Sequence, residues 1–450
     1  MQVAIIGCGH VGLVTAVCLT SIGHHAVCVD RDAHLVTLLQ QGRLPIYEPH
    51  LENLFYCSRS SGQLTFTDDI AGVTRAAPVV FLCVGVPQLE DGTSDFSSLE
   101  TATRQLAQSS DSSKLVVVRS TVPVQTGEQL RHLLGVYRSR SDVSFDVASN
   151  PQFLREGTAV DDFFHPGRVL LGVESSHSEE TLREIYRPLL EQAFACPVHG
   201  AKCPSGAVPQ LLVTKIHSAE LIKQTANAFL AMKISYANVL ADLCERLGGD
   251  VEEVTHAVGL DPRIGSSFLN AGLGFGGSRL PTDLRAFCHL AERLGIEAGI
   301  AAATERVNRD RIDAFFERVQ RSMWVLRGKR IAMLGLAHKS GTDDVRRSPA
   351  LALYKRFLAA GSSVRGYDPK AMHQARSAYP DLVCAADAYD AAQQADALVI
   401  STDWDEFHTL DWKRIRGLMA RPVIFDGRNV LSPSAMSALG FEYHSVGRPG

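Results

Sequence analysis

The stretch GFGGSRLPTD (274–283) places three glycines, a guanidinium (Arg279) and a carboxylate (Asp283) within ten residues. Glycines at this density suggest backbone pressed close to a ligand. Asp283 is a candidate to take up a proton, whereas Arg279 can hold an anion but has no lone pair with which to act as a nucleophile. Lys223 and Asn227 stand four residues apart in a helical pattern, so they share one face. Their flanks (Leu221, Ile222, Ala226, Phe229, Leu230) are apolar, where an idle lysine is costly. Such a pair can orient a hydroxyl or a water and stabilise alkoxide character. A third constellation is Gly7, Gly9 and Gly12 in G-x-G-x-x-G, followed 18 residues later by Asp30. Gly7 permits a tight turn, Gly9 lets backbone approach a pyrophosphate, and Gly12 lets helix and strand pack closely. A diphosphate then lies at a helix N-terminus. Asp30 suits a ribose hydroxyl and would repel a 2′-phosphate, which favours NAD over NADP.

The elements that must position these groups are legible as strand–loop–helix units. QVAII precedes the glycine loop, an Ala/Leu/Val-rich helix follows, Gly23 stops it, and a second strand ends at Asp30. PVVFLCVG (78–85), KLVVVRSTVP (114–123) and DVASNP (146–151) continue the alternation, with Thr121 on one of the strand ends where ligands bind in doubly wound sheets. The run from Ser218 to Gly248-Gly249 predicts a connecting helix of about thirty residues, capped by Ser218 and buried on more than one side. RIAMLGLAHKSGTDDVRRSPALALYKRF opens a second unit, with Ser348-Pro349 starting its helix, Gly361 ending it, and Asp368 closing the next strand as Asp30 does. Its loop lacks the glycine triad and is charged instead (Lys339, Asp343, Asp344, Arg346, Arg347), which suits ligand phosphates. The expected fold is α/β: two Rossmann-like doubly wound parallel-sheet domains joined by a central helical domain. The expected boundaries are 1–205, 206–310 and 311–450, a division in keeping with 450 residues.

Composition narrows the function classes. A formal charge of −4 argues against nucleic-acid or anionic-membrane partners, and no apolar run reaches the length of a membrane span. The first residues enter a strand directly, so no signal peptide and a cytoplasmic location are expected. The ten cysteines fall mostly in apolar stretches; we read them as reduced core thiols and expect neither disulfides nor a metal.

Taken together, GCGHVGLVTAVCLTSIGH, LPIYEPHL, VRSTVPVQTG, SNPQFLREGTAVDDFFHPGRVLLG, SAELIKQTANAFLAMKIS, DPRIG, GFGGSRLPTD, LGLAHKSGTDDVRRSPAL and FDGRNV resemble the UDP-glucose/GDP-mannose dehydrogenase family, in the family's order over nearly the whole chain. The resemblance implies oxidation of a nucleotide sugar's C6 alcohol with NAD, in a homodimer or larger homo-oligomer, through a covalent thioester. Cofactor contacts are then expected from Gly7, Gly9, His10, Val11, Gly12 and Asp30. Val84, Gly85, Ser120 and Thr121 would add to these at later strand ends, together with Glu156 and Arg346. Substrate contacts are expected from the QFLRE loop (Gln152, Phe153, Leu154, Arg155, Glu156), from Lys223 and Asn227, and from Phe268, Gly272, Phe275 and Gly276. Lys339 and Arg428 join them, and Arg263, by resemblance, reaches the partner subunit's site. A UDP-sugar is the favoured ligand.

The catalytic positions match only in part. Lys223, Asn227, Asp283 and Thr121 match the family, but its nucleophilic cysteine falls at Arg279 and its hydrolytic glutamate at Gln152. Thr282 and Leu35 stand where basic residues are usual. Both principal losses belong to the second half of the reaction, because neither an arginine nor a glutamine can do covalent capture or general-base hydrolysis. Arg279 could pair with Asp283, or face the sugar and hold a carboxylate or phosphate. The favoured reading is a two-electron oxidoreductase, giving an aldehyde or ketone or epimerising through transient oxidation. The alternatives are a non-catalytic protein that binds NAD and nucleotide sugar, and four-electron dehydrogenation by a non-covalent route.

Overall fold

Alternation in the apolar runs decides how the strands are covered. In the computed structural model, which describes residues 1–89, 93–200, 203 and 208–449, the chain forms two compact units, Met1–Gln224 and Thr225–Gly450. The first strand, β1 (Gln2–Ile6), sends Val3 and Ile5 into one apolar cluster and Ala4 and Ile6 into another on the opposite face. Both faces of the sheet are therefore buried under helices, as a parallel sheet requires.

In the first unit the sheet continues through β2 (His25–Val29), β3 (Leu64–Thr67), β4 (Val79–Leu82), β5 (Lys114–Val118), β6 (Phe145–Ser149), β7 (Arg168–Gly172) and β8 (Gln210–Thr214). The described strands are ordered β3-β2-β1-β4-β5-β6-β7-β8. All neighbours are parallel except β6 and β7, which pair antiparallel through Ser149 and Gly172. Order reverses between β1 and β4, so the loops after these two strands open the crevice where ligands bind.

The second unit carries β9 (Arg330–Leu334), β10 (Ser363–Tyr367), β11 (Val383–Cys384), β12 (Ala397–Ile400), β13 (Val423–Asp426) and β14 (Glu442–Ser445). They form a parallel sheet ordered β11-β10-β9-β12-β13-β14. Ile331 and Met333 face one cluster and Ala332 and Leu334 the other, repeating the two-sided pattern of β1. The helix Pro349–Ala359 starts as expected, with Ser348 Oγ accepting from Leu351 N at 3.4 Å and proline at its first position.

One expectation changes: the long helix runs Ile216–Leu247, so Ser218 lies inside it rather than capping it. Phe229, Tyr236, Val239, Leu243 and Leu247 leave an exposed apolar stripe along it at helical spacing. Ala237, Ala241, Val251, Ala271 and Leu273 share a core with Ile331, Met333 and Phe425. The expected 205/206 boundary lies outside the described residues.

Candidate active site

The glycine loop after β1 fits a dinucleotide. Gly7 has φ +102°, and a Cβ on Gly12 would lie 1.9 Å from the Gly7 carbonyl oxygen, so both glycines are required by the turn itself. A Cβ on Gly9 would meet nothing within 4 Å. Gly9 is therefore not demanded by the protein, and the space beside it, at the N-terminus of the helix His10–Ser21, is where a pyrophosphate would be cradled. Asp30, just past β2, accepts from Cys8 N at 2.7 Å and from Asp32 N at 3.1 Å. One bond per oxygen leaves acceptor capacity for two ribose hydroxyls. Val84 and Gly85 follow β4, and Ser120 and Thr121 follow β5, with Ser120 Oγ donating to the Val84 carbonyl at 2.6 Å. Among the expected cofactor residues, these share the crevice edge with the glycine loop.

Asp368, after β10, contrasts with Asp30. It is fully buried and accepts from Leu336 N, Ala337 N, Lys370 N, Ala371 N and the Trp404 indole. Five donors occupy its carboxylate, which locks the second unit's first loop and leaves nothing for a ribose. The parallel drawn from sequence between the two aspartates holds for position and not for role.

Sequence reading missed two residues that organise the first unit's loops. Glu48, in LPIYEPHL, is buried and accepts from His10 Nε2 (2.7 Å), Gly157 N (2.9 Å) and Ala159 N (2.8 Å). It ties the glycine loop to the turn that follows Glu156. Arg119 is buried between Thr15 Oγ1 (2.9 Å), Asn150 Oδ1 (2.6 Å) and the Tyr186 hydroxyl (3.1 Å), fixing the segment that leads into Pro151 and Gln152. Gln152 is buried; its Oε1 accepts from Leu154 N at 2.7 Å, while its Nε2 has no hydrogen-bond partner. A buried amide in that state is uncommon and marks a place where a ligand atom or water is accommodated. Phe153 beside it is covered by the Arg168 guanidinium at 3.9 Å and the Lys223 ammonium at 5.0 Å. Leu154 is buried in the core, and Arg155 forms a fork with Asp162 instead of facing a ligand freely.

In the second unit, Asn227 Nδ2 donates to the Asp283 carboxylate, and both side chains are buried. Asp283 sits in the first turn of the helix Leu280–Arg293, its N–H bonded to the Arg279 carbonyl at 2.8 Å. The chain does turn helically from Arg279, as pairing with Asp283 would need. The glycines of this loop serve protein packing: a Cβ on Gly274 would strike Asn308 Oδ1 at 2.4 Å, and one on Gly276 the Arg347 carbonyl at 2.2 Å. The reason for the glycine density is therefore the close approach of the helix Gly299–Met323 and of the loop at Arg347. Phe275 is held by both amide groups of Asn308 (2.8 and 3.0 Å). Phe268 has φ +66°, and Gly272 packs under the Gly427 carbonyl. Arg347, which sequence reading did not single out as a site residue, donates to Thr282 Oγ1 at 2.6 Å. It brings a cation to Thr282, just before Asp283.

Arg428 is half-buried and donates to the carbonyls of Ser401 (2.9 Å), Gly274 (3.0 Å) and His338 (3.4 Å), a clamp across three loops that engages three of its five N–H groups. Arg346 forks onto Asp344 at 2.7 Å and is largely exposed; Lys339 is half-buried in the same loop. Arg263 is 87% exposed and aligned on Asp261 at 2.6 Å. Cys288, nine residues beyond Arg279 on the same helix, offers no substitute thiolate: burial, with Glu305 and Glu292, pushes its thiol up.

The cysteines are not uniformly core thiols. Cys8, Cys18, Cys28, Cys83 and Cys244 are, but Cys196 and Cys203 come together with His165 and His199 near the first unit's surface. This arrangement draws His165 from a segment remote from the other three.

A parallel sheet whose switch point carries a glycine loop and a strand-end aspartate defines a dinucleotide-binding protein of the Rossmann class. Residues 1–190 match the NAD binding domain of the UDP-glucose/GDP-mannose dehydrogenase family, 217–310 its central domain and 332–433 its UDP binding domain, and the chain belongs to this family. It is 41% identical to the UDP-glucose 6-dehydrogenase of Rhizobium meliloti (strain 1021) over 454 residues, covering all of both chains. It is 40% identical to the UDP-glucose 6-dehydrogenase of Pseudomonas aeruginosa over 460 residues, covering 100% of this chain and 98% of the other. The structure of a UDP-glucose dehydrogenase from Pyrobaculum islandicum superposes with a TM-score of 0.89 at 35% identity, covering 100% and 98%. NAD is the cofactor of the family's amino-terminal domain, and the Gly9 space and the Asp30 carboxylate fit it.

Proposed function

We propose that this chain is an NAD-dependent oxidoreductase of UDP-sugars limited to two-electron chemistry at a sugar carbinol. The observation that carries the reading is the buried Asn227–Asp283 pair one helical turn from Arg279. The acid needed to remove a hydroxyl proton is assembled, while the residue that the family resemblance puts in the thiol's place is a guanidinium. Asp283, steadied by Asn227, takes the proton of the sugar hydroxyl. Lys223, on the same helix as Asn227, is assigned to stabilise the alkoxide oxygen. NAD, when bound, accepts the hydride. No covalent adduct follows, because a guanidinium carries no nucleophilic lone pair. Gln152 cannot serve as a base for hydrolysis. The sugar is then released as an aldehyde or ketone, or reduced back with inversion.

The test is stoichiometric. With NAD and a panel of UDP-sugars, absorbance of NADH and mass spectrometry are expected to show at most one NADH per sugar, with a carbonyl product trapped by semicarbazide. Two NADH per sugar and a uronate would overturn the restriction, and neither a spectral change nor an epimerised sugar, read by chromatography, with any substrate would favour the binding-only reading. The Arg279→Cys, Gln152→Glu double variant is expected to gain uronate formation.

A homodimer is proposed from the long helix. Phe229, Tyr236, Val239, Leu243 and Leu247 form an apolar stripe of the kind that marks a protein interface. The exposed Arg263 is free to be directed outward by Asp261 towards a partner. Sedimentation should give the mass of two chains or more, and Leu243→Glu should shift it to one. An unaltered mass for that variant would place the interface elsewhere. Among the described residues no helix is long and apolar enough to cross a membrane.

A further inference from the structure

The first unit holds a four-residue constellation that the redox chemistry does not use. Cys196, His199 and Cys203 follow one another in the run CPVHGAKC, and His165 reaches them from the corner between the helix Ala159–Phe164 and β7. His165 Nε2 lies 3.5 Å from Cys196 Sγ and 3.1 Å from Cys203 Sγ, and His199 Nδ1 lies 3.7 Å from Cys196 Sγ. The four ligand atoms all fall within 4.8 Å of one another. Zinc–sulfur and zinc–nitrogen bonds in a tetrahedron put sulfur and nitrogen about 3.6 Å apart. The measured separations straddle that value.

We propose that His165, Cys196, His199 and Cys203 form a structural zinc site. Three further features suit it. Asp161 Oδ1 bonds His165 Nδ1 at 2.8 Å, which fixes the ring and turns Nε2 towards the sulfurs, the carboxylate–histidine arrangement that supports zinc ligands. The His199 backbone N–H donates to Cys196 Sγ at 3.3 Å, as suits a thiolate acceptor. Gly200, with φ +55°, donates to the Cys196 carbonyl at 3.2 Å and accepts from Cys203 N at 3.2 Å, which holds Cys203 beside Cys196. The spacing C-x2-H-x3-C is that of a short knuckle, and the remote histidine completes four protein ligands. Two thiols lose their protons on binding, and two thiolates with one divalent cation leave a neutral centre. With no open position the ion does no chemistry. It pins the segment after the helix Ser176–Leu190 to the His165–Gly167 corner. That corner lines the same cavity as Gln152, Phe153 and Leu154. A disulfide between the two cysteines would leave two imidazoles aimed at sulfurs that no longer bind anything.

The test uses the full, tag-free chain purified under reductant. Elemental analysis should return about one zinc per chain, released stoichiometrically by a thiol-reactive mercurial. Cobalt exchange should give the intense visible bands of a tetrahedral site together with a thiolate charge-transfer band. Cys196→Ser and Cys203→Ser should each lower zinc retention at least about tenfold, while Cys57→Ser, on an exposed cysteine of another helix, should retain it. The cobalt spectrum of the unaltered chain keeps the test independent of how the variants fold. Less than about one tenth of an equivalent after zinc reconstitution and desalting, an octahedral cobalt spectrum, or a Cys196–Cys203 disulfide in peptide mapping would each overturn the site.

Discussion

Asp283→Asn is expected to slow NADH formation by about 10²- to 10⁴-fold, the usual effect of removing a positioned general base, while the melting temperature stays near that of the parent. The argument rests on shape and on one proton. Asparagine has the volume of aspartate and keeps an oxygen that can accept from Asn227 Nδ2, so the buried contact between the helices Ile216–Leu247 and Leu280–Arg293 survives. What is lost is the ability to take the hydroxyl proton. Asp283 is only 2% exposed, so bulk water cannot readily replace it. Single-turnover measurement separates this chemical defect from any change in substrate binding. A variant that turns over at the parental rate would remove Asp283 from the mechanism and leave Lys223 to act alone.

The second large effect separates two glycines that are three residues apart in one motif. Gly9→Val is expected to leave thermal stability unchanged in the absence of cofactor yet weaken NAD binding at least about a hundredfold, equivalent to about 2.7 kcal/mol. Gly12→Ala is expected to destabilise the first unit itself by several kcal/mol, of the order seen for severe overpacking. The difference follows from what each new methyl would meet: nothing within 4 Å at Gly9, and the Gly7 carbonyl at 1.9 Å at Gly12. Calorimetric titration with NAD and a thermal melt of each variant read the two quantities separately. Unweakened NAD binding by Gly9→Val would mean that the diphosphate lies elsewhere in the crevice.

Much of this was open to reading before any coordinates. The glycine loop and Asp30 announce themselves through spacing, because turn, helix start and strand end are set by residues within a few positions of one another. Lys223, Asn227 and Asp283 stood out because polar groups among apolar neighbours need a reason. The glycines of GFGG were read for a ligand, although the crowding that requires them comes from Asn308 and Arg347. The likeness of Asp30 and Asp368 in position hides different surroundings: the donors that occupy Asp368 include Trp404, 36 residues further on.

Residue order alone thus determined the two-sheet α/β architecture and the dinucleotide loop, since each arises from local periodicity and local turn chemistry. Tertiary structure decided which side chains from distant segments meet. Glu48 reaches Gly157 across 109 residues, Arg119 reaches Thr15 across 104, and His165 reaches Cys203 across 38. Such pairings are set by how helices and strands pack, and packing depends on the shape of the whole core, which no short window of residues encodes.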